Sequence, residues 1–222
     1  MNRKTVLALA FLCMTLSAAA CGHKPAPYAP DQSRFDVVSM DELSDRQDQA
    51  TLQVMIVYGA SSSNHVALRI FSPLEGTIFW DPAGYYGRQG SQKADRINDV
   101  LIDDAPSLKA YIKFRTETEF PSKLMEMFEW HLTVQQANIM RNILIKGSGP
   151  VLPAPGVFRT KGAGLFCGSD ISNFLEQAAG DIMTVKQVFF PDALEKQLYE
   201  QSPANVYHVW LDPQIVIKKL VR

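Results

Sequence analysis

The chain has 222 residues, of which 22 are basic (Lys and Arg) and 23 are acidic, and its formal net charge is −1. This balance excludes nucleic-acid binding through a broad basic surface. The length allows one domain with a sizeable core, and no run after the N-terminal segment reaches the roughly 18 apolar residues of a membrane-spanning helix.

Residues 1–20 have the features of an export signal. A basic start is followed by an apolar run over 6–16 and by three alanines at 18–20. Segments of this kind are removed from the mature protein, with the cut after the small residues. We therefore expect the mature chain to begin at Cys21.

Cys21 directly follows these small residues, and this arrangement resembles the lipobox of bacterial lipoproteins. The resemblance implies that Cys21 is lipidated and anchors the chain in a membrane. The residue after this cysteine is Gly22 and not aspartate, which implies delivery to the periplasmic face of the bacterial outer membrane. The alanines also suit the ordinary signal peptidase, which would leave the protein periplasmic or secreted.

Residues 21–34 form the expected tether. They contain three prolines and almost no apolar side chains, which predicts an extended, polyproline-leaning segment that cannot contribute to a core. The folded domain is therefore expected over 35–222.

Three apolar segments near the start of this domain predict neighbouring strands. The runs 52–58 and 64–71 are rich in β-branched and apolar residues, and the small residues 59–63 between them indicate a loop. A third run covers 77–80 and is followed by Asp81 and then by a proline. The economical interpretation is a meander of three strands.

The middle of the domain changes to helical patterns. The expected elements are a helix over 105–114, a strand over 128–132 and a helix over 134–145. Thr133 is a suitable N-cap for the second helix, and Gly147 is expected to end it. The segment 147–164 is rich in glycine and proline, and a loop of that length is usually a binding or lid element.

The last part of the chain contains the remaining expected elements. Apolar residues at the spacing of one helical face predict a helix over 170–179, which begins just after Cys167. The other expected elements are strands over 185–190, 206–211 and 215–221 and a helix over 192–200. The whole pattern indicates the α+β class, with helices segregated between two groups of strands.

Cys167 is the only cysteine outside the first 21 residues. In an exported protein it therefore lacks an intramolecular disulfide partner. A free cysteine is often a small buried hydrophobic residue, whereas the start of a helix favours a thiolate over a thiol. Two interpretations stay open: an inert buried cysteine and a reactive thiol.

A nucleophilic thiol needs a base and a further polar group that orients the base. His65 opens one predicted strand and Asp81 ends the next, so their side chains can share a face of the sheet. His208 and Asp212 form an alternative pair after the cysteine. We prefer His65, because an expected helix occupies much of the short interval between Cys167 and His208.

Four segments occur in a suggestive order: SNHVALRI, FWDPAG, LFCGSDISNFL and FFPDALEKQL. They resemble the circularly permuted branch of the papain-like, NlpC-type cysteine hydrolases, in which the histidine strand precedes the cysteine helix. The resemblance covers about residues 52–200. It implies an α+β, papain-like fold in which an antiparallel sheet packs against a nucleophile-bearing helix.

The same resemblance implies that Cys167 is the nucleophile, His65 the general base and Asp81 the group that orients the imidazole. Gly168 stands where family members commonly have serine, and aspartate at 81 replaces the more frequent glutamate. The backbone amide of Cys167 is the expected oxyanion donor, and the hydroxyl of Tyr58 could add a second.

The expected activity is hydrolysis of an amide bond through a thioester, with bacterial cell-wall peptides as the substrate that the location suggests. The lecithin retinol acyltransferase-like branch, which acts on lipid acyl chains, implies an alternative substrate. A non-catalytic lipoprotein that uses the fold as a binding module is a further alternative. The sequence has no metal-site spacing and no phosphate loop, so we expect no metal and no cofactor.

Overall fold

The computed structural model describes residues 32–46, 48–59, 64–82, 86, 100–102, 105–117, 122–148, 167–211 and 214–221. Within these ranges the chain forms one antiparallel eight-stranded sheet and four α-helices, which confirms the α+β class. The expected export signal, Cys21, Asp212 and nearly all of the glycine- and proline-rich segment lie outside them. No described helix has both the length and the apolar character needed to cross a bilayer.

The strands are β1 (Phe35–Val38), β2 (Ala50–Gly59), β3 (His65–Ser72), β4 (Gly76–Trp80), β5 (Val100–Leu101), β6 (Ser122–Leu132), β7 (Asn205–Trp210) and β8 (Val216–Leu220). The helices are α1 (Leu108–Glu117), α2 (Val134–Ser148), α3 (Cys167–Ala178) and α4 (Pro191–Glu200), with two short 3-10 helices at Gln32–Arg34 and Met40–Leu43. The strand order is β1-β8-β7-β6-β2-β3-β4-β5. The two groups of strands therefore join in one sheet.

The centre of the sheet is β2, which is buried along nearly its whole length. Its near-continuous apolar sequence is typical of a strand that is covered on both faces. The first face includes Val66 and Trp80 and packs under α2, α3 and α4, with Ile171 of α3 in the same core. The second face packs under α1 and the second 3-10 helix and includes Val57 and Phe79.

The sequence predicted most of the described elements within a few residues. Thr133 caps α2 as expected: its hydroxyl accepts the N–H of Gln136 at 3.1 Å, and the Gln136 side chain accepts the N–H of Thr133 at 2.9 Å. The helix continues past Gly147 to Ser148. The strand predicted over 128–132 begins earlier, at Ser122.

The strand predicted over 185–190 is wrong, because this segment is not part of the sheet. Side chains from the flanking helices satisfy its backbone instead. The N–H of Val188 donates to Ser172 Oγ at 2.9 Å, and the N–H of Lys186 donates to Gln197 Oε1 at 2.7 Å. The apolar and β-branched residues there suit an extended chain, but its backbone bonds to side chains and not to another strand.

A buried arginine joins the sheet to the segment that precedes α1. Arg69 on β3 forms a two-pronged ion pair with Asp45 and also donates to Gln53 Oε1 at 3.0 Å. Its Nε donates to the carbonyl oxygen of Pro106 at 3.4 Å. Arg69 thereby helps to fix the start of α1 against the second face of the sheet.

Replacing Arg69 with methionine should lower the free energy of unfolding by about 3 kcal/mol, because it leaves buried acceptors and a partly buried carboxylate unpaired. The measurement is urea denaturation followed by circular dichroism. Lys113→Met is the control: its ion pair with Glu117 spans 3.8 Å on an exposed surface and should contribute less than about 0.5 kcal/mol. Equal losses in the two variants would contradict this prediction.

Candidate active site

His65 and Asp81 meet at the end of the β3–β4 hairpin. Trp80 pairs with Leu68, so Asp81 follows the last paired residue of β4 beside the part of β3 that extends further. Pro82 lacks an N–H and cannot continue the ladder. Nε2 of His65 donates to Oδ1 of Asp81 at 2.6 Å, so the two side chains share a face as the strand spacing predicted.

Cys167 is the first residue of α3 and reaches the same strand end. Its Sγ accepts the backbone N–H of Val66 at 3.3 Å, and its thiol is hydrogen-bonded to the His65 side chain. Because the Nε2 of His65 is bound to Asp81, the Nδ1 side of the ring is left for the sulfur. The structure therefore brings together the three residues that the sequence analysis selected.

The electrostatics of these three residues favour charge separation. Burial raises the pKa of the Cys167 thiol, but the neighbouring His65 and the N–H of Val66 outweigh it, and the pKa lies below its ordinary value. Burial lowers the pKa of His65, yet the Asp81 carboxylate and Cys167 raise it to about 9. Both shifts stabilise a thiolate beside an imidazolium.

Asp81 stays ionised although it is buried. Burial alone would raise its pKa, but the charges of His65 and Arg115 lower the pKa to about 2. The backbone N–H of Tyr86 also donates to Oδ2 of Asp81 at 3.3 Å. A fixed carboxylate of this kind can hold the imidazole in one orientation and stabilise its protonated form.

Two residues of α1 complete the surroundings of Asp81, and the sequence analysis missed both. The hydroxyl of Tyr111 donates to Oδ1 of Asp81 at 3.2 Å, and the guanidinium of Arg115 donates to the same oxygen at 3.3 Å. Arg115 also donates to the Tyr111 hydroxyl at 2.6 Å and 2.9 Å. Tyr111 lies in the helix predicted over 105–114 and Arg115 directly follows it, so their four-residue spacing was the available sign that they share a face.

Gly168 is required by the close approach of α3 to the start of α4. A Cβ atom at this position would lie 2.8 Å from the carbonyl oxygen of Phe189 and 2.9 Å from the carbonyl carbon of Phe190. Both are backbone atoms, which cannot move aside as a flexible side chain can. The serine that is common at this position in the resembling family would not fit here.

Tyr58 takes part in a polar network beneath α4. Its hydroxyl donates to Oε2 of Glu195 at 2.6 Å and lies 3.5 Å from Oε2 of Glu126. Both glutamates are completely buried. Burial and the neighbouring Glu195 raise the pKa of Glu126 to about 9, so the carboxyl pair holds a proton at neutral pH. While Tyr58 donates to Glu195, its O–H is not available to an oxyanion.

His208 belongs to the same network. Its Nε2 lies 2.9 Å from the hydroxyl of Tyr199 and 3.2 Å from Oε1 of Glu126, and burial lowers its pKa to about 4. Since Glu126 is protonated, this contact joins neutral groups and is not an ion pair. His208 lies on β7, and two strands separate β7 from β3, a distance of about 14 Å. The structure thus places the alternative base away from the His65 strand.

Among the described residues, no group of three or more histidine, cysteine, aspartate or glutamate side chains is arranged to hold a metal ion. His131, the remaining histidine of the domain, lies on β6 with a half-exposed side chain, 3.8 Å from Glu129. The hydrogen bonds and pKa shifts of Cys167, His65 and Asp81 suit nucleophilic and acid–base chemistry by side chains.

Replacing Gly168 with alanine should lower the free energy of unfolding by about 1–3 kcal/mol, because the backbone must move to admit the new methyl group. The same movement should displace Cys167 and slow its alkylation. Gly180→Ala is the matched control, since a Cβ there would meet no atom within 4 Å. Thermal unfolding and alkylation rates of both variants test this, and a Gly168→Ala protein indistinguishable from the control would contradict it.

The pKa of His65 should move in opposite directions in two variants of its surroundings. Asp81→Asn should lower it from about 9 to below the ordinary value of 6.5, because burial remains while the carboxylate charge is lost. Arg115→Met should raise it, because the guanidinium charge opposes the imidazolium. Titration of the ring resonances by NMR measures both, with the exposed Lys113→Met as control. A fall in both variants would mean that Arg115 acts on His65 only through the position of Asp81.

We compared the whole chain with protein-family models, curated proteins and solved structures. No family model matches it, and neither a curated protein nor a solved structure matches it significantly. We therefore infer its function from the geometry of its own residues.

Proposed function

We propose that this protein is a cysteine hydrolase that cleaves an amide bond through a thioester intermediate. The observation that carries the proposal is the hydrogen-bonded arrangement of Cys167, His65 and Asp81, with the sulfur at the first residue of a helix. The thiol pKa is lowered and the imidazole pKa is raised, which is the combination that a thiolate nucleophile requires.

The reaction begins when the Cys167 thiolate attacks the carbonyl carbon of the amide and forms a C–S bond. The developing oxyanion accepts the backbone N–H of Cys167, which has no partner within the helix because it lies at the helix start. The His65 imidazolium gives its proton to the amide nitrogen, the C–N bond breaks, and the amine leaves. The product of this half-reaction is a thioester on Cys167.

Hydrolysis of the thioester reverses the roles. His65, now neutral, takes a proton from water, and the hydroxide attacks the thioester carbonyl. The C–S bond breaks, the acid product leaves, and the thiolate is restored beside the imidazolium. Asp81, held by Tyr111 and Arg115, keeps the imidazole in position through both halves of the cycle.

The fold proposed here is papain-like and circularly permuted. Two features support it: His65 and Asp81 come from adjacent antiparallel strands that precede the nucleophile helix in the chain, and that helix packs on the histidine strand. The shorter aspartate at 81 reaches the imidazole at 2.6 Å. Tyr111 and Arg115 donate to the same oxygen of Asp81, Oδ1.

The proposed location is the periplasmic face of the bacterial outer membrane, with Cys21 as the lipid anchor. This rests on the sequence of residues 1–22, and it makes cell-wall peptides the substrate we would assay first. A lipid-like acyl substrate is the second candidate. It is favoured by Phe189 and Phe190, which are 64% and 42% exposed and whose backbone contacts Gly168 beside the nucleophile.

The test is the pH dependence of alkylation by iodoacetamide in the domain from residue 32 onward. Wild type should show a reactive thiolate with a midpoint below the roughly 8.5 of a free cysteine. His65→Ala should move the midpoint above that value, because burial then acts on the thiol without the neighbouring cation. His131→Ala, a half-exposed histidine, should leave the profile unchanged.

A thiol that reacts slowly at neutral pH in wild type and does not respond to His65→Ala would overturn the proposal. It would leave a non-catalytic binding module as the interpretation. If the profile is as expected, release of new amino groups from cell-wall peptides and of fatty acid from phospholipid vesicles separates the two substrate candidates. Cys167→Ala should abolish whichever activity is found.

A further inference from the structure

The first residues of β3 are paired with another strand on one side only, within the part of the chain that the structure describes. Val57 of β2 pairs with His65, whereas the pairing of β4 with β3 begins at Leu68. Both groups that contact the proposed nucleophile, the ring of His65 and the N–H of Val66, lie in this stretch. On its open side, the position of the strand end therefore depends on contacts other than ladder hydrogen bonds.

Asn64, directly before β3, is bound to the first turn of α4. Its side-chain Nδ2 donates to Oδ1 of Asp192 at 2.5 Å, although the two residues are 128 positions apart in the chain. An ionised carboxylate only accepts hydrogen bonds, so the amide presents its nitrogen to Asp192. Its own oxygen, Oδ1, is buried without a partner among the described residues. The side chain of Asn64 is therefore held there by a single hydrogen bond.

The start of α4 also contacts the nucleophile helix. A Cβ atom on Gly168 would lie 2.8 Å from the carbonyl oxygen of Phe189 and 3.0 Å from the nitrogen of Pro191. The backbone that leads into α4 therefore packs directly against the residue after Cys167. The same short segment thus touches the strand end that carries His65 and the helix end that carries the sulfur.

The helix α4 is itself fixed to the sheet. One turn after Asp192, the buried Glu195 accepts the hydroxyl of Tyr58 at 2.6 Å. Leu194 and Leu198 are completely buried in the core on the same face. A contact with the first turn of α4 therefore holds its partner at a defined position relative to the rest of the domain.

Stabilisation of α4 alone is the competing role for Asp192. An acidic residue in the first turn of a helix complements the helix dipole, and the N-cap residue of α4, Phe190, supplies no side-chain hydrogen bond. That role does not require Asn64. The hydrogen bond between the two side chains joins α4 to β3, and it is this bond that distinguishes the two roles.

We propose that Asp192 is a positioning residue for the reaction proposed above. Through Asn64 it holds the start of β3 against α4, and so sets the distance at which the ring of His65 meets Cys167. The inference rests on the proposed function of Cys167. Asp192 does not touch the reacting atoms and acts only through the side chain that it binds.

The test follows iodoacetamide alkylation of Cys167 against pH in the full-length chain, by mass spectrometry of the peptide that contains this cysteine. Asn64→Ala and Asp192→Ala should each raise the midpoint by about one pH unit, a roughly tenfold loss of thiolate at neutral pH. The reason is that the imidazolium is then held less closely to the thiol, whose pKa burial raises. The double variant should show the same rise as each single variant, because all three lack one and the same hydrogen bond.

Asp192→Asn separates position from charge. Its side-chain oxygen can still accept from Asn64, so the midpoint should stay close to the wild-type value. A purely electrostatic role predicts a different pattern, because loss of the carboxylate charge would lower the thiol pKa in Asp192→Asn and Asp192→Ala alike. Glu200→Ala, at an exposed acidic residue in the last turn of α4, is the control and should leave the profile unchanged.

Asn64→Ala is the decisive variant, because it lies outside α4 and also removes the unpaired oxygen. It should melt close to the wild-type temperature, and a wild-type midpoint in this variant would overturn the inference. Additive shifts in the double variant, or equal shifts in Asp192→Asn and Asp192→Ala, would also overturn it. With a fast wild-type thiol, these results leave the proposed function standing. A wild-type thiol that is slow at neutral pH and unaffected by His65→Ala would instead reject the proposed function itself.

Discussion

The site depends on the unequal lengths of two neighbouring strands. β4 pairs with β3 only from Leu68 onward, so the first three residues of β3 extend past the end of β4. This extension presents the N–H of Val66 and the ring of His65 to groups other than a strand. The sulfur of Cys167 accepts a hydrogen bond from this N–H, and Asp81 accepts one from the ring. A longer β4 would occupy the same space with ladder hydrogen bonds.

The buried charge of Asp81 is balanced by groups from α1. Around Asp81, the cost of burying a charge is met by a cation and a hydroxyl from α1, and the start of α1 is itself fixed to the sheet through Arg69. This arrangement gives a rigid orienting group.

The amino-acid sequence predicted the positions of site residues correctly where a short-range pattern of apolar residues determines the strand or helix. Alternation along β3 and β4 put His65 and Asp81 on one face, and the spacing of apolar residues put Cys167 at a helix start. Tyr111 and Arg115 reach Asp81 because α1 packs on the sheet. No local sequence pattern predicts that packing. The same limit applies to Tyr58, since the direction of its hydroxyl depends on Glu195, 137 residues away in the chain.

The paired glutamates Glu126 of β6 and Glu195 of α4 couple folding to the uptake of a proton. In the unfolded chain the carboxyl of Glu126 has an ordinary pKa near 4.5, and in the folded protein the pKa is about 9. Between these values the native state binds more protons than the unfolded state, so stability decreases as the pH rises through this interval. Refolding at neutral pH therefore withdraws a proton from the buffer, and a calorimeter would record the buffer's own heat of ionisation within the folding enthalpy.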